Sequence, residues 1–390
     1  MADQIRVTSS RGWFSRIGES IKGLTFGAIL FLGSFPLLWW NEGRAVQTYE
    51  SLQEGRDAVV SVKAETVDPA NESGLVHLTG LATTRETLAD SVFGVAEEAI
   101  RLSRKAETYQ WVERRSTESR KKLGGGEETV TLYTYAKDWR DERIDSDAFK
   151  EPAGHANPPS LAFESQSWQS QQVMVGTFQL SEALIASISR SVEVPYPSSA
   201  LAALSPALRG TARIHGKGLY IGRDPASPAV GDVRVSYRKV PPGDVSVIAQ
   251  QVGTRLGPYP TKAGDRLEAL VAGVVSADGM FTGAERSNTV TTWVLRFAGF
   301  LVMLFAMLLL LRPIRVLGDV VPILGTLAGF GLGLVAFLVA APLTLFTIAL
   351  AWIAHRPGLA VGLILVACAF GAWLLVRLVR SRRVAAPVPV

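Results

Sequence analysis

The sequence predicts an α-helical membrane protein of four spans, carrying a large α+β, strand-rich extracytoplasmic domain. Three observations carry that reading. Residues 293–311, 320–354 and 358–379 are long apolar runs almost free of charge. Another run, Leu24–Trp40, lies near the N-terminus. Between them, residues 41–289 have ordinary soluble composition and are numerous enough to bury a core. The 390-residue chain has a formal charge of +5 and is 48% hydrophobic, which suits such a mixture. Its single cysteine, Cys368, lies in the last apolar run, so the large domain has no disulfide. Much of the basic excess sits beside the spans, where orientation explains it better than nucleic acid does.

Residues 1–23 read as a cytoplasmic amphipathic segment. Trp13, Phe14, Ile17, Ile21 and Leu24 recur at helical spacing among Arg6, Arg11, Arg16 and Lys22, which predicts an interfacial helix. The bland alternative is a disordered basic tail. Residues 24–40 are the first span, near the lower length limit. A cleaved signal peptide is the rival, but the run ends in Leu37-Leu38-Trp39-Trp40, and bulky aromatics suit a cleavage site poorly. Trp13, Phe14, Trp39 and Trp40 are the expected membrane-interface anchors.

In the domain 41–289, alternation predicts strands at Val59–Lys63, Leu75–Leu81, Ile100–Val112, Val130–Trp139, Ile214–Ile221, Val233–Val240 and Val245–Gln251. Gly124-Gly125-Gly126 predicts a loop joining two long strands. Ser181 with Glu182 opens a helix carrying Leu184, Ile185 and Ile188. A loop at 152–160 is the candidate boundary between two subdomains. Residues 291–311 form the second span, with Arg296 able to snorkel from its outer end. The third, 320–354, is long enough to be tilted, or broken near Pro342. Gly325, Gly329 and Gly333 recur at four-residue spacing, a helix-packing face whose plain alternative is the high glycine content of membrane helices. Residues 358–379 are the fourth span and 380–390 a cytoplasmic tail. With four spans, the N-terminal arginines, Arg312, Arg315 and the tail arginines share one side. The positive-inside rule then makes both termini cytoplasmic.

Chemistry finds little support. His77, His155, His215 and His355 are scattered without ligand spacing, so no metal is expected. No nucleophile elbow, P-loop or dinucleotide fingerprint occurs, so no catalytic residue and no cofactor are expected. Gly216 and Gly218 sit within a strand pattern and read as a bend. Asp138, Asp141, Glu142, Asp145 and Asp147 cluster near Arg140 and Arg143; a solvated mixed-charge turn explains them better than paired catalytic acids. A transporter would carry polar groups deep in its spans. Here Thr344 and Thr347 can bond helix carbonyls, and Asp319 and Arg296 lie near span ends.

One ordered set of motifs runs through nearly the whole chain: Leu37-Leu38-Trp39-Trp40-Asn41-Glu42-Gly43-Arg44-Ala45, Ser51–Gly55, Tyr109–Glu113, Tyr133–Trp139, Gly154–Pro158, Val230–Ser236, Thr261–Asp265, Arg286-Ser287-Asn288 and Arg356-Pro357. The chain thereby resembles the transmembrane protein 43 (LUMA) family, and its Ala/Arg-rich style points to a bacterial member. The resemblance implies four spans and a large luminal or periplasmic domain. It also implies self-association and an organising role among membrane or envelope proteins, as animal members have with emerin and lamins. Pro342 departs from the pattern expected of animal members. The expected function is a non-enzymatic membrane scaffold whose partners are the lipid bilayer, further copies of itself and envelope proteins, with no nucleic acid. Its expected place is a bacterial inner membrane, or the endoplasmic reticulum and inner nuclear membrane in a eukaryote. The alternative is a lipid-handling or cryptic enzymatic module in the domain.

Overall fold

The structure, a computed structural model, describes residues 4–319 and 322–356, with side chains between 322 and 329 excluded. The expected fourth span and tail lie outside the described residues. Two compact units emerge. One gathers residues up to Arg11 with Ser51–Lys121 and Glu127–Ala284; the other gathers Gly12–Glu50, Lys122–Gly126 and the helices from Glu285 onward.

The first unit is strand-rich. Strand β1 (Gln4–Arg11) precedes helix α1 (Trp13–Ala58). The residues at helical spacing, Trp13 to Leu24, are helical as expected, but the first part of the 1–23 segment, Gln4–Arg11, is extended. Ile5 and Val7 alternate with polar neighbours, a period-two pattern, and the helix starts only at Trp13. Next come β2 (Leu75–Thr83), β3 (Arg101–Lys121) and β4 (Glu127–Arg140). The expected glycine loop joins β3 to β4, with Gly124 and Gly125 at φ +83° and +78°, where a side chain would be strained. Helix α2 (Glu182–Ser187) is capped by Ser181, whose hydroxyl accepts from the Leu184 amide at 3.1 Å. Strands β5 (Gly218–Ile221), β6 (Val233–Val240) and β7 (Gly243–Val252) complete the main framework. Residues 214–221 are not one strand: Ala212–His215 turns back onto β5 at Gly216, whose φ is +59°.

Eight strands form one sheet, with β1, β4, β3, β6, β5 and Ala212–His215 as its main path. Its core packs Leu102, Ala106, Leu219, Val233, Val235 and Tyr237, while Arg234, Ser236 and Arg238 face out as their parity predicts. The second sheet closes on itself. β7 pairs with β2 and with Arg255–Gly257; Arg255 meets Gln179; Phe178–Gln179 pairs with Met174–Val175; and that strand returns to β2. Val76, Leu78, Val175, Phe178, Val247 and Ala249 fill its core. Strands before and after the 152–160 loop pair with each other in both sheets, so that loop does not separate two strand systems.

The second unit is helical. Besides most of α1 it contains most of α3 (Ala277–Leu310), then α4 (Arg312–Gly318) and α5 (Pro322–His355). Among the described residues three helices are long and apolar enough to cross a membrane, those of Trp13–Ala58, Ala277–Leu310 and Phe330–His355. Helix α5 passes through Pro342 unbroken. Helices α1 and α3 approach closely where glycines remove side chains. A Cβ on Gly27 would lie 2.8 Å from the Leu309 Cβ, and one on Gly299 would collide with Leu38.

Candidate functional site: a polar collar on the helices

The motif residues that follow the first apolar run do not dissolve into loop. Helix α1 continues through them, so Glu42, Val46 and Tyr49 share one face at three- to four-residue spacing. On α3 the same geometry aligns Asn288, Thr292 and Arg296. These faces meet in a polar collar. Arg296 donates from Nε and Nη2 to the two Glu42 carboxylate oxygens, each at 2.7 Å, and the Glu42 side chain is 2% exposed. Such a two-pronged pair satisfies both charges where water is scarce. Arg296 is thus held by an acid, a partner its sequence position did not announce, and its guanidinium lies 4.8 Å from the centre of the Trp293 ring. Arg44 donates to the Asn288 side-chain oxygen at 2.9 Å and to the Thr292 hydroxyl at 3.0 Å. Asn288 in turn donates to the Ala45 carbonyl at 2.9 Å, and Asn41 to the Thr292 carbonyl at 3.2 Å.

Helix α5 joins the collar at its last turn. The missing Gly43 side chain admits His355, since a Cβ there would lie 2.9 Å from the imidazole Cε1. Trp39 meets the same imidazole edge-on at 5.7 Å. Arg356 follows, above Tyr49 and Trp352. Three motifs far apart in sequence thus converge.

The expected interface anchors fare differently. Phe14 is 81% exposed, Trp39 42% and Trp40 55%, whereas the Trp13 indole N–H donates to the Val316 carbonyl at 3.0 Å and its ring packs against Gly125. Beside it, Arg16 donates to the Gly125 carbonyl at 2.5 Å and to Asp319 at 2.6 Å. No described residue lies within 4 Å of where a Gly333 side chain would begin, while the surroundings of Gly325 and Gly329 lie outside the described residues. Thr347 bonds the Leu343 carbonyl at 2.7 Å, as expected, but Thr344 turns to the Met303 sulfur at 3.3 Å.

In the strand-rich unit the remaining motifs act as fasteners. Asn157 clamps the backbone of Trp111, accepting from its amide at 2.7 Å and donating to its carbonyl at 2.9 Å. His155 stacks on Tyr135 at 4.0 Å and meets Trp111 edge-on at 4.7 Å. Asp232 accepts from the Tyr220 hydroxyl at 2.5 Å, and Thr261 closes a turn with Asp265. Burial first, then the acceptor Asp232, push the Tyr220 phenol pKa well up. Burial would raise the Glu107 carboxyl, but Arg234 and Lys105 outweigh it and hold that pKa below its ordinary value. The acidic cluster forms exposed pairs, Asp138–Arg140 at 2.8 Å on the last residues of β4 and Asp145–Arg143 at 3.4 Å in the turn beyond it. Among the described residues no three His, Cys, Asp or Glu side chains group as metal ligands.

The family model for transmembrane protein 43 matches residues 108–357, most of the chain and two of the three helices of the collar. The human protein named transmembrane protein 43 is 37% identical over 91% of this chain and 90% of its own length. The chain belongs to the transmembrane protein 43 family. The mouse transmembrane protein 43 matches to the same degree, and the Drosophila melanogaster homologue is 29% identical over 92% of this chain and 95% of its own. No solved structure matches. Together with its three apolar helices, membership in the transmembrane protein 43 family makes this an integral membrane protein with a large strand-rich domain.

The Glu42–Arg296 pair was not anticipated from the sequence. Its signal was an acid just after one apolar run and a base just inside another, charges that low-dielectric surroundings tolerate only in pairs.

Proposed function

We propose that the protein is a non-enzymatic, multi-pass membrane scaffold. It self-associates through its spans and presents the bulk of its strand-rich domain outside the cytoplasm to membrane or envelope proteins. In a bacterium that places it in the inner membrane with a periplasmic domain; in a eukaryote, in the endoplasmic reticulum and inner nuclear membrane. The observation that carries this reading is the use made of the motif side chains. Asn157, His155, Asp232, Thr261, Asn288 and Glu42 are spent on backbone clamps, ring stacks and an ion pair that hold the fold. Further support comes from α5, where no described residue lies within 4 Å of a Cβ on Gly333, a face that can accept another helix.

Full-length protein in lipid nanodiscs tests the reading by mass. Gly329→Leu and Gly333→Leu are expected to reduce the oligomer while leaving the strand content unchanged. Equal mass in parent and variants would remove that interface, and a strictly monomeric parent would move lipid handling by the domain to the front.

A further inference from the structure

A cavity of about 270 Å³ opens beside the collar, lined by Tyr49, Asn288, Trp293, Trp352, Arg356 and the Glu42–Arg296 pair. It sits where the apolar runs of α1, α3 and α5 stop, after Trp40, before Trp293 and at Ala354. In a bilayer spanned by those runs, their ends would lie at the depth of the glycerol and phosphate groups.

Its charges are unevenly matched. Arg296 is charge-paired with Glu42, on which it spends Nε and Nη2. Arg44, behind the Asn288 and Thr292 wall, spends its terminal nitrogens on those side chains. Glu285 also lines the cavity and has interactions of its own. Arg356 differs. Its guanidinium carbon lies 5.5 Å from the centre of the Tyr49 ring and 5.8 Å from that of Trp352. Among the described residues, no carboxylate pairs with the guanidinium, and neither the guanidinium nitrogens nor the Tyr49 hydroxyl has a hydrogen-bond partner; the Arg356 backbone N–H donates to the Trp352 carbonyl at 3.0 Å. The two rings hold the guanidinium in place and leave its donors unspent. A planar fork of donors matches a phosphate, and the exposed Trp293 ring offers an apolar wall for the glycerol backbone and first acyl carbons.

We propose that this cavity binds the phosphate diester of a glycerophospholipid, with Arg356 as the anion's partner and Tyr49 as a second donor. The inference goes beyond the scaffold reading and does not depend on self-association; it rests on the helices lying in the bilayer.

The test uses delipidated full-length protein in nonionic detergent, titrated with dioleoylphosphatidylglycerol and followed by native mass spectrometry and tryptophan fluorescence. Parent protein is expected to retain one lipid that Arg356→Ala loses by about tenfold or more in affinity, roughly 1.4 kcal/mol. Arg356→Lys should recover part of it, Tyr49→Phe should weaken it less, and Arg286→Ala, an exposed charge outside the cavity lining, should match the parent. Dioleoylglycerol, which has the chains without the phosphate, should not compete. Equal affinity for Arg356→Ala and parent, or equal competition by dioleoylglycerol, would overturn the site. Displacement of the lipid by inorganic phosphate alone would overturn the lipid as its occupant. Should Arg356→Ala fail to fold, the Lys and Tyr49→Phe variants decide, because a site of this kind requires both to bind more weakly than the parent.

Discussion

Asp90 and Arg104 lie 2.6 Å apart in the core of the strand-rich unit, their side chains 1% and 5% exposed. The Tyr237 hydroxyl donates to the same carboxylate at 2.7 Å, and burial together with that bond pushes the phenol pKa far above its usual value. The guanidinium also lies 5.2 Å and 5.5 Å from the centres of the Phe93 and Trp168 rings. Removing one partner strands the other, so Asp90→Ala is expected to cost about 3–5 kcal/mol, seen as a large drop in melting temperature. The exposed Asp138 offers the contrast: Asp138→Ala should change stability by no more than about 0.5 kcal/mol. Nothing in the sequence marks Asp90 as special, because the pairing strands that enclose it come from distant parts of the chain. Tyr135 supplies a pH test. Burial first, then the acceptor Glu113, raise its phenol to about 12. The neutral form is the one the fold favours, so this contribution is complete below the ordinary tyrosine pKa of about 10. It is lost as pH rises through about 12. Denaturant midpoints across that window should therefore fall more steeply for the parent than for Tyr135→Phe; equal slopes would show that the phenol does not titrate there.

Secondary structure was legible wherever one periodicity ruled. The alternation of Val233, Val235 and Tyr237 gave β6 its bounds and its faces, and Ser181 gave α2 its start. Boundaries failed where neighbouring patterns overlapped: the basic N-terminal residues satisfy both periods weakly, and pairing with β4 along Gln4–Arg11 decides for a strand. Likewise, the close approach of α1 and α3 uses Gly27 and Gly299, single glycines with no repeat to announce them, whereas the repeating Gly333 has no such contact among the described residues. The β3–β4 hairpin raises a question of sidedness. Its turn at Gly125 touches Arg16, which precedes the first apolar run, although the four-span topology puts 41–289 on the opposite face. The contact predicts that Phe14→Cys and Leu123→Cys, both at highly exposed positions, react with a membrane-impermeant maleimide from the same side, in a Cys368→Ser background. Reaction from opposite sides would overturn the contact and support placing the whole stretch beyond one face.

At the scale of the molecule, composition alone separated membrane helices from a water-exposed domain, since 17–35 consecutive apolar residues admit few other readings. Strand order was not legible, because alternation tells which face of a strand is buried and not which strand lies beside it. The polar collar was half legible: its motifs could be read, but their convergence depends on how far α1 and α3 run past their apolar stretches. The self-closing sheet has a further consequence, which concerns time. Thr79 and Ser246 meet across β2 and β7 although 167 residues separate them. On a ribosome adding about 5–20 residues per second, β2 waits roughly ten to thirty seconds for its partner to be made. Throughout that interval Val76 and Leu78, sealed in the finished protein, have no ring to fill. The nascent chain is thus a client for whatever holds unfolded segments in its compartment, and slowing translation between residues 83 and 243 should lower its yield more than slowing it anywhere later.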